Sequence, residues 1–189
     1  MSTRQLEGDD APAPPPRSPE STVLPTEKTS ESIRYKMAEK LAAIGEDFFI
    51  LDDQGQRVFK VDGWAARLHD TLVFRDMEGN EICSFQHLIA RQCNSVEIRD
   101  ADDRRIAVVL KTMITPLRDR FVVKIDNGPS LELEGNILAH EYRIGKVATV
   151  SKSWFRVQDS YGVEIVPGQN DALILAATVC VDQMLSDVR

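Results

Sequence analysis

The residues best suited to chemistry in this sequence are basic side chains gathered in two blocks that contain almost no acid. Residues 104–124 carry six lysines and arginines against one aspartate, and residues 142–156 carry four against none. On neighbouring strands these residues would form a basic face for inositol phosphates or anionic headgroups, each contributing about 1 kcal/mol near a membrane. The candidate ligand-binding residues are Lys111, Arg118, Arg120, Lys124, Arg143, Lys146, Lys152 and Arg156.

The same pattern has a second interpretation, in which the basic residues occupy outward strand positions and pair with acids. The segment between the two blocks supplies those acids: Asp126, Glu132, Glu134 and Glu141. Exposed ion pairs contribute at most about 1 kcal/mol each, so such pairing would be a property of the surface and would not define a ligand site. The sequence leaves both interpretations open.

The sequence contains none of the short motifs that indicate an enzyme of a familiar class. GxGxxG, GxxxxGK[ST], GxSxG and HExxH are all absent. The histidines His69, His87 and His140 lie in separate segments without the spacing of metal ligands, so we expect them to be hydrogen-bonded or solvated. We therefore predict no enzymatic activity, no catalytic residue, no metal site and no cofactor.

An aspartate-rich stretch at residues 100–103 resembles the beginning of a calcium-binding loop. An EF-hand loop begun at Asp100 would place Arg105 where glycine is required and Lys111 where glutamate is required. We therefore expect a turn in which the aspartate side chains accept hydrogen bonds from the local backbone.

Length and composition limit the class of protein. The 189 residues, 42% hydrophobic and 28% charged, suit one soluble domain with a tail, and the net charge of −7 argues against a protein that coats nucleic acid. Three cysteines (Cys83, Cys93 and Cys180) without CxxC spacing fit neither a disulfide scaffold nor a zinc module, which favours a reducing compartment.

Residues 1–32 are predicted to be a disordered, proline-rich tail. They hold six of the nine prolines and no aromatic residue, so they cannot bury enough surface to offset the entropy of ordering. Residues 13–17 could form a polyproline II segment that binds an SH3-like partner. The favoured interpretation is a solvated leader without a dedicated partner. The globular domain is therefore expected to span residues 33–189.

The rest of the chain alternates short β-rich runs with turns, which predicts a meander of about ten to twelve antiparallel strands. Hairpin turns are predicted around residues 52–55, 76–80, 100–103 and 127–129. In the last hairpin, pairing Ile125 with Leu131 brings apolar residues together and sets Lys124 opposite Glu132.

The C-terminal segment predicts a helix of a different kind. Asn170 or Asp171 is a plausible N-cap, and residues 172–181 are rich in leucine and alanine and have no polar face. A helix that is apolar all round must be buried all round, and this run is too short to cross a bilayer, which takes about 20 residues. A closed sheet around a central helix is therefore favoured over the alternative of a buried strand.

This architecture and several segments resemble the LURP-one-related family, a branch of the tubby-like superfamily that also includes phospholipid scramblases. The most specific segments are 147–155 (VATVSKSWF), 159–163 (DSYGV) and 171–176 (DALILA), and weaker ones lie at 35–41, 49–55, 58–63 and 75–80. The resemblance covers nearly all of residues 33–189. It implies a mainly β fold, a tubby-like closed barrel of twelve strands around a hydrophobic C-terminal helix, and it brings no catalytic residues.

The resemblance also shapes the expected function. Because tubby domains bind phosphoinositides, it favours a non-enzymatic binding or scaffold module that binds anionic headgroups or a protein partner, cytoplasmic and peripheral at membranes. The tubby pocket residues do not match here, so none is transferred. A lipid-handling protein of scramblase type is the alternative, although the chain lacks cysteine-rich acylation segments, and an enzyme with an unrecognised site is a third. We expect no nucleic-acid partner and no transmembrane segment.

Overall fold

The computed structural model describes residues 32–38, 47–62, 71–86, 95–115, 118–154 and 160–186. The predicted tail falls almost wholly outside these residues, as do His69, His87, Cys93 and Arg156. Of Arg118, only the position in its strand is described.

The described chain consists of twelve strands, a short 3-10 turn (Ile137–Ala139) and one α-helix, α1 (Asp171–Ser186). The strands are β1 (Ile33–Ala38), β2 (Phe48–Leu51), β3 (Arg57–Asp62), β4 (Thr71–Asp76), β5 (Glu81–Gln86), β6 (Ser95–Asp100), β7 (Arg105–Thr115), β8 (Arg118–Ile125), β9 (Ser130–Asn136), β10 (Glu141–Ile144), β11 (Ala148–Ser151) and β12 (Ser160–Ile165).

The strands form one closed antiparallel barrel. Each strand pairs with its neighbours in the chain, and β1 closes the barrel by pairing with both β12 and β2. Closure leaves no free sheet edge, which removes the unpaired backbone groups that an open sheet would expose. The predicted mainly β barrel of about twelve strands is confirmed.

The barrel wall alternates between a buried inner face and a charged outer face. On β8, Phe121 and Val123 are buried while Arg120 and Lys124 are exposed. Because side chains alternate along a strand, every second side chain faces the barrel interior. The apolar residues of the twelve strands can therefore line that interior.

Helix α1 fills the interior. Every residue from 173 to 182 is buried, and the apolar side chains of the helix belong to one core cluster with the inward residues of the strands. A helix without a polar face finds apolar partners on all sides only inside such a barrel. The predicted central helix is confirmed, and the alternative of a buried strand is wrong.

The start of α1 is capped by Asn170. Its side-chain Oδ1 accepts a hydrogen bond from the backbone N–H of Leu173 at 3.1 Å, and its carbonyl accepts one from Ile174 at 3.1 Å. The Tyr35 hydroxyl donates to Asp171 Oδ2 at 2.6 Å, which ties β1 to the first turn of the helix. Of the two predicted caps, Asn170 therefore has this role.

The predicted register of the β8–β9 hairpin is wrong by two residues. Val123 pairs with Leu131, and the Ile125 N–H reaches the carbonyl of Pro129 at 3.4 Å. Asn127 adopts a left-handed conformation with φ of 59°, which lets the chain reverse in three residues where the prediction allowed five. A shift of two keeps every side chain on its predicted face.

The two ends of the barrel differ. The end at which β2–β3, β4–β5, β6–β7, β8–β9 and β10–β11 are joined by tight turns, and at which α1 enters, is called the turn end. The opposite end, which holds the 3-10 turn between β9 and β10 and receives the C-terminal part of α1, is called the loop end.

Three hairpins at the turn end use the same aspartate device. Asp52, Asp76 and Asp100 each accept a hydrogen bond from the backbone N–H four residues later, at 2.8, 2.7 and 2.9 Å. Each turn then passes through a residue of positive φ, for example Gly79 at 90° and Asp103 at 61°. Residues 100–103 thus form the backbone-capping turn expected from the sequence.

Candidate functional site

The described candidate basic residues lie within the part of the wall formed by the five consecutive strands β7 to β11, and none of them is on β9. Lys111 is on β7, Arg118, Arg120 and Lys124 are on β8, Arg143 is on β10, Lys146 is in the β10–β11 turn, and Lys152 directly follows β11. Because these strands are neighbours in the barrel, the two blocks face each other across β9. Arg156 and the side chain of Arg118 lie outside the described residues.

Strand β9 places two glutamates between the basic strands. Arg120 on β8 forms an ion pair with Glu132, and Nη2 of Arg143 on β10 lies 3.3 Å from Oε2 of Glu134. Hydrogen bonding to the Arg120 guanidinium holds the pKa of Glu132 below its usual range. Both arginines are thus paired in the way that the second interpretation of the sequence predicts.

The arginines at the start of the first block are paired as well. Arg105 Nε lies 2.9 Å from Asp126 Oδ2 in the neighbouring hairpin, and Arg104 Nη2 lies 2.6 Å from Asp102 Oδ2 in its own turn. A block that is poor in acid along the sequence therefore has acids beside it in space.

Two lysines of the candidate set have other contacts. The Lys111 ammonium lies 5.7 Å from the ring centroid of Phe121, and the backbone N–H of Lys152 donates to Glu141 Oε1 at 2.9 Å. The same Glu141 oxygen accepts from the Ser151 hydroxyl at 2.9 Å. Glu141 therefore fixes the segment that leaves β11.

Lys124 and Lys146 are exposed, and within the described residues neither ammonium forms an ion pair. Lys124 lies opposite Ser130 at the start of β9, and the Gly145 N–H donates to the Glu132 carbonyl at 2.8 Å. Both lysines therefore lie at the turn end, on either side of the first residues of β9. We call them the lysine pair.

Arg143, another candidate, lines a shallow groove of about 390 Å³ on the outer wall. The groove lies over Gly135 and is lined by Glu134, Glu141, Arg143 and Thr149, among others. The groove contains two carboxylates and one guanidinium, so it repels an anionic ligand, whereas the lysine pair attracts one. Arg143 is thus less suited to an anion than its sequence block suggested.

A buried polar cluster, which our sequence analysis did not predict, lies inside the loop end. The Asp182 carboxylate on α1 accepts from the Tyr161 hydroxyl at 2.5 Å and lies 3.2 Å from His140 Nε2. The His140 and Tyr161 rings stack with centroids 4.3 Å apart. We call these residues, together with Tyr142, the interior cluster. One signal was available, since Asp182 follows ten helix residues without a charge.

One polar atom of the interior cluster, Nδ1 of His140, lacks a hydrogen-bond partner within the described structure, on a side chain more than nine-tenths buried. The buried Tyr142 hydroxyl has the Thr178 side chain of α1 as a polar neighbour. Burial, and then the charge of Asp182, raises the pKa of Tyr142 well above its ordinary value. In the described part of the chain, no three histidine, cysteine or acidic side chains are grouped so as to hold a metal ion.

The two described cysteines are part of the core. Cys180 on α1 and Cys83 on β5 are both almost fully buried, as expected for Cys180 from its apolar helix. Burial, reinforced by the charge of Glu81, raises the pKa of Cys83 to about 12, and burial raises the pKa of Cys180 as well. Both thiols are therefore protonated and unreactive in the folded protein.

These thiols predict that stability falls at alkaline pH. Above about pH 8.5 the cysteines ionise in the unfolded chain but stay neutral in the folded core. The free energy of unfolding therefore falls by about 1.4 kcal/mol per thiol for each further pH unit. Urea unfolding at about pH 7, 9 and 10 measures this slope. The Cys83→Ala/Cys180→Ala variant should show a shallower decline than the wild type, and equal slopes would contradict the prediction.

The fold and surface define a class of protein, a closed antiparallel barrel filled by its own C-terminal helix and covered by paired charges. The sequence profile of the LURP-one-related family matches residues 33–182, so the chain belongs to that family. The resemblance noted in the sequence is confirmed.

Two known proteins are similar to this chain. Uncharacterized protein YxjI of Bacillus subtilis (strain 168) is 25% identical over 157 residues, covering 81% of this chain and 94% of that protein. An X-ray structure of an Arabidopsis thaliana protein matches with a TM-score of 0.59 at 19% identity, covering 82% of this chain and 92% of that one. The second likeness supports the fold alone.

A helix that spans a membrane must be both long enough and apolar enough. Among the described residues, no helix meets both requirements.

Proposed function

We propose that this protein is a non-enzymatic, tubby-like binding module that holds an anionic ligand, such as a phosphoinositide headgroup, through the lysine pair. The observation that carries the proposal is that Lys124 and Lys146 are exposed on one end of the barrel without an acidic partner among the described residues. A lysine that is already neutralised offers less to an incoming phosphate, so unpaired cations are the best anion ligands on this surface.

The spacing of the lysine pair suits a ligand with more than one phosphate. Lys124 is on β8 and Lys146 directly follows β10, with β9 between them, so with neighbouring strands about 4.8 Å apart the two backbones lie about 10 Å apart. Two flexible lysine side chains can converge over the exposed Ser130 from that distance, and its hydroxyl adds a donor. The proposed site is therefore a shallow basic surface.

The remaining candidates have secondary parts in this proposal. Arg120 is adjacent on β8 but would have to leave Glu132 before it contacts a ligand. Arg118 and Arg156 are included on the strength of the sequence alone. Binding at an anionic membrane surface in the cytoplasm is the setting that this chemistry favours, since each basic residue near such a surface contributes about 1 kcal/mol.

Charge reversal of the lysine pair tests the proposal. Wild-type protein should co-sediment with phosphoinositide-containing vesicles at low salt, be released as salt rises, and ignore neutral phosphatidylcholine vesicles. Lys124→Glu/Lys146→Glu should weaken vesicle binding by at least about thirtyfold, because the loss of two attractions of about 1 kcal/mol each is about 2 kcal/mol and charge reversal adds repulsion. The matched control, Arg57→Glu/Lys60→Glu on β3, changes the charge equally away from the site and should bind like the wild type.

Three outcomes would count against the proposal. Equal retention on neutral vesicles would indicate a different mode of binding, and no retention on any vesicle would remove the lipid ligand. An equal loss in both double variants would reduce the effect to net charge. The same vesicles with a leaflet-specific dye test the alternative, because transfer of lipid between leaflets would favour the scramblase type of function.

A further inference from the structure

The two halves of α1 are held in the barrel by different kinds of contact. The first half, residues 171–177, is capped by Asn170, tied to β1 through Asp171, and surrounded by apolar residues. The second half, residues 178–186, carries Thr178 and Asp182 on the same helix face, four residues apart, within the loop end of the barrel.

The contacts of the second half are imperfect. Asp182 is satisfied by His140 and Tyr161, but His140 Nδ1 is buried without a partner in the described structure. Leaving buried polar groups unpaired opposes burial of the whole cluster. This half is therefore buried less favourably than the apolar half.

Helix electrostatics add to this difference. The last turn of α1 contains no basic residue, and the Asp182 carboxylate lies near the C-terminal end, where the helix dipole is already negative. The first turn has the opposite arrangement, with Asp171 near the positive end. Both the packing and the dipole hold α1 more firmly at the turn end than at the loop end.

We propose that the hydrogen bonds of Asp182 to His140 and Tyr161 form a latch, and that the second half of α1 opens from the barrel as a unit when the latch breaks. The first half stays seated during this motion. Opening uncovers the apolar side chains of the second half, including Val179, Val181 and Met184, at the loop end. The barrel is thus a closed container with one end that can open, independent of any ligand at the lysine pair.

Amide hydrogen exchange on the full chain, followed by mass spectrometry, tests the latch. Asp182→Asn should speed exchange in residues 178–186 by about tenfold and leave residues 171–177 nearly unchanged. Tyr161→Phe, which keeps the ring stack with His140 but removes one latch hydrogen bond, should act in the same direction.

For each expected result, the opposite result would overturn the proposal. If Asp182→Asn or Tyr161→Phe speeds exchange equally in both halves, α1 opens only with the whole barrel. Should Asp182→Asn fail to fold, Tyr161→Phe decides the question.

Discussion

Leu175→Asp is expected to prevent folding altogether. Leu175 is fully buried near the middle of α1, surrounded by the wall of the barrel. An unpaired carboxylate at this position costs several kcal/mol, and the lost leucine packing adds about 2–5 kcal/mol. Together these losses are comparable with the stability of a typical domain, which is about 5–15 kcal/mol. Circular dichroism and urea titration should show no cooperative transition.

The control for this variant is the same substitution on the surface. Leu138→Asp changes a leucine that is 63% exposed in the 3-10 turn, so its effect should stay within about 0.5 kcal/mol. A Leu175→Asp protein that unfolds cooperatively near the wild-type midpoint would show that α1 is not at the centre of the fold.

Gly135→Ala is expected to cause the second largest loss. A Cβ at Gly135 would lie 2.5 Å from the Glu141 carbonyl oxygen and 2.8 Å from the Tyr142 Cα, both backbone atoms of the paired strand β10. The backbone φ of 132° is also one that L side chains rarely adopt. Because neither strand can shift without breaking the ladder, we expect a loss of about 3 kcal/mol in urea unfolding.

A second glycine separates the steric clash from the cost of the backbone angle. Gly79 also has a positive φ, of 90°, but a Cβ there meets no heavy atom within 4 Å. Gly79→Ala should therefore lose only about 1–2 kcal/mol. If the two alanine variants prove equally stable, the close approach of β9 and β10 would not determine the stability of this region.

Local chemistry made much of this fold predictable. The alternation on β8, the aspartate turns and the Asn170 cap depend on residues a few positions apart, so the sequence contains the relevant contacts. The position of α1 followed from one global constraint, because an apolar helix needs apolar partners on all sides.

Contacts between distant residues were harder to predict. The β8–β9 register depended on a turn conformation at Asn127 that composition does not reveal. His140 and Asp182 are 42 residues apart and meet only after the barrel has closed around α1. The partners of Arg120 and Arg143 were among the acids considered, but only the strand order settles which arginine meets which glutamate.

The position of α1 after all twelve strands has a consequence for synthesis. The ribosome makes all twelve strands before the helix that fills their interior, and β1 cannot complete its pairing until β12 has emerged. Until then the inward faces of the strands have nothing to pack against and are open to association with other chains. We therefore expect the nascent chain to remain without a core until α1 has been synthesised, and to depend on chaperones during that interval.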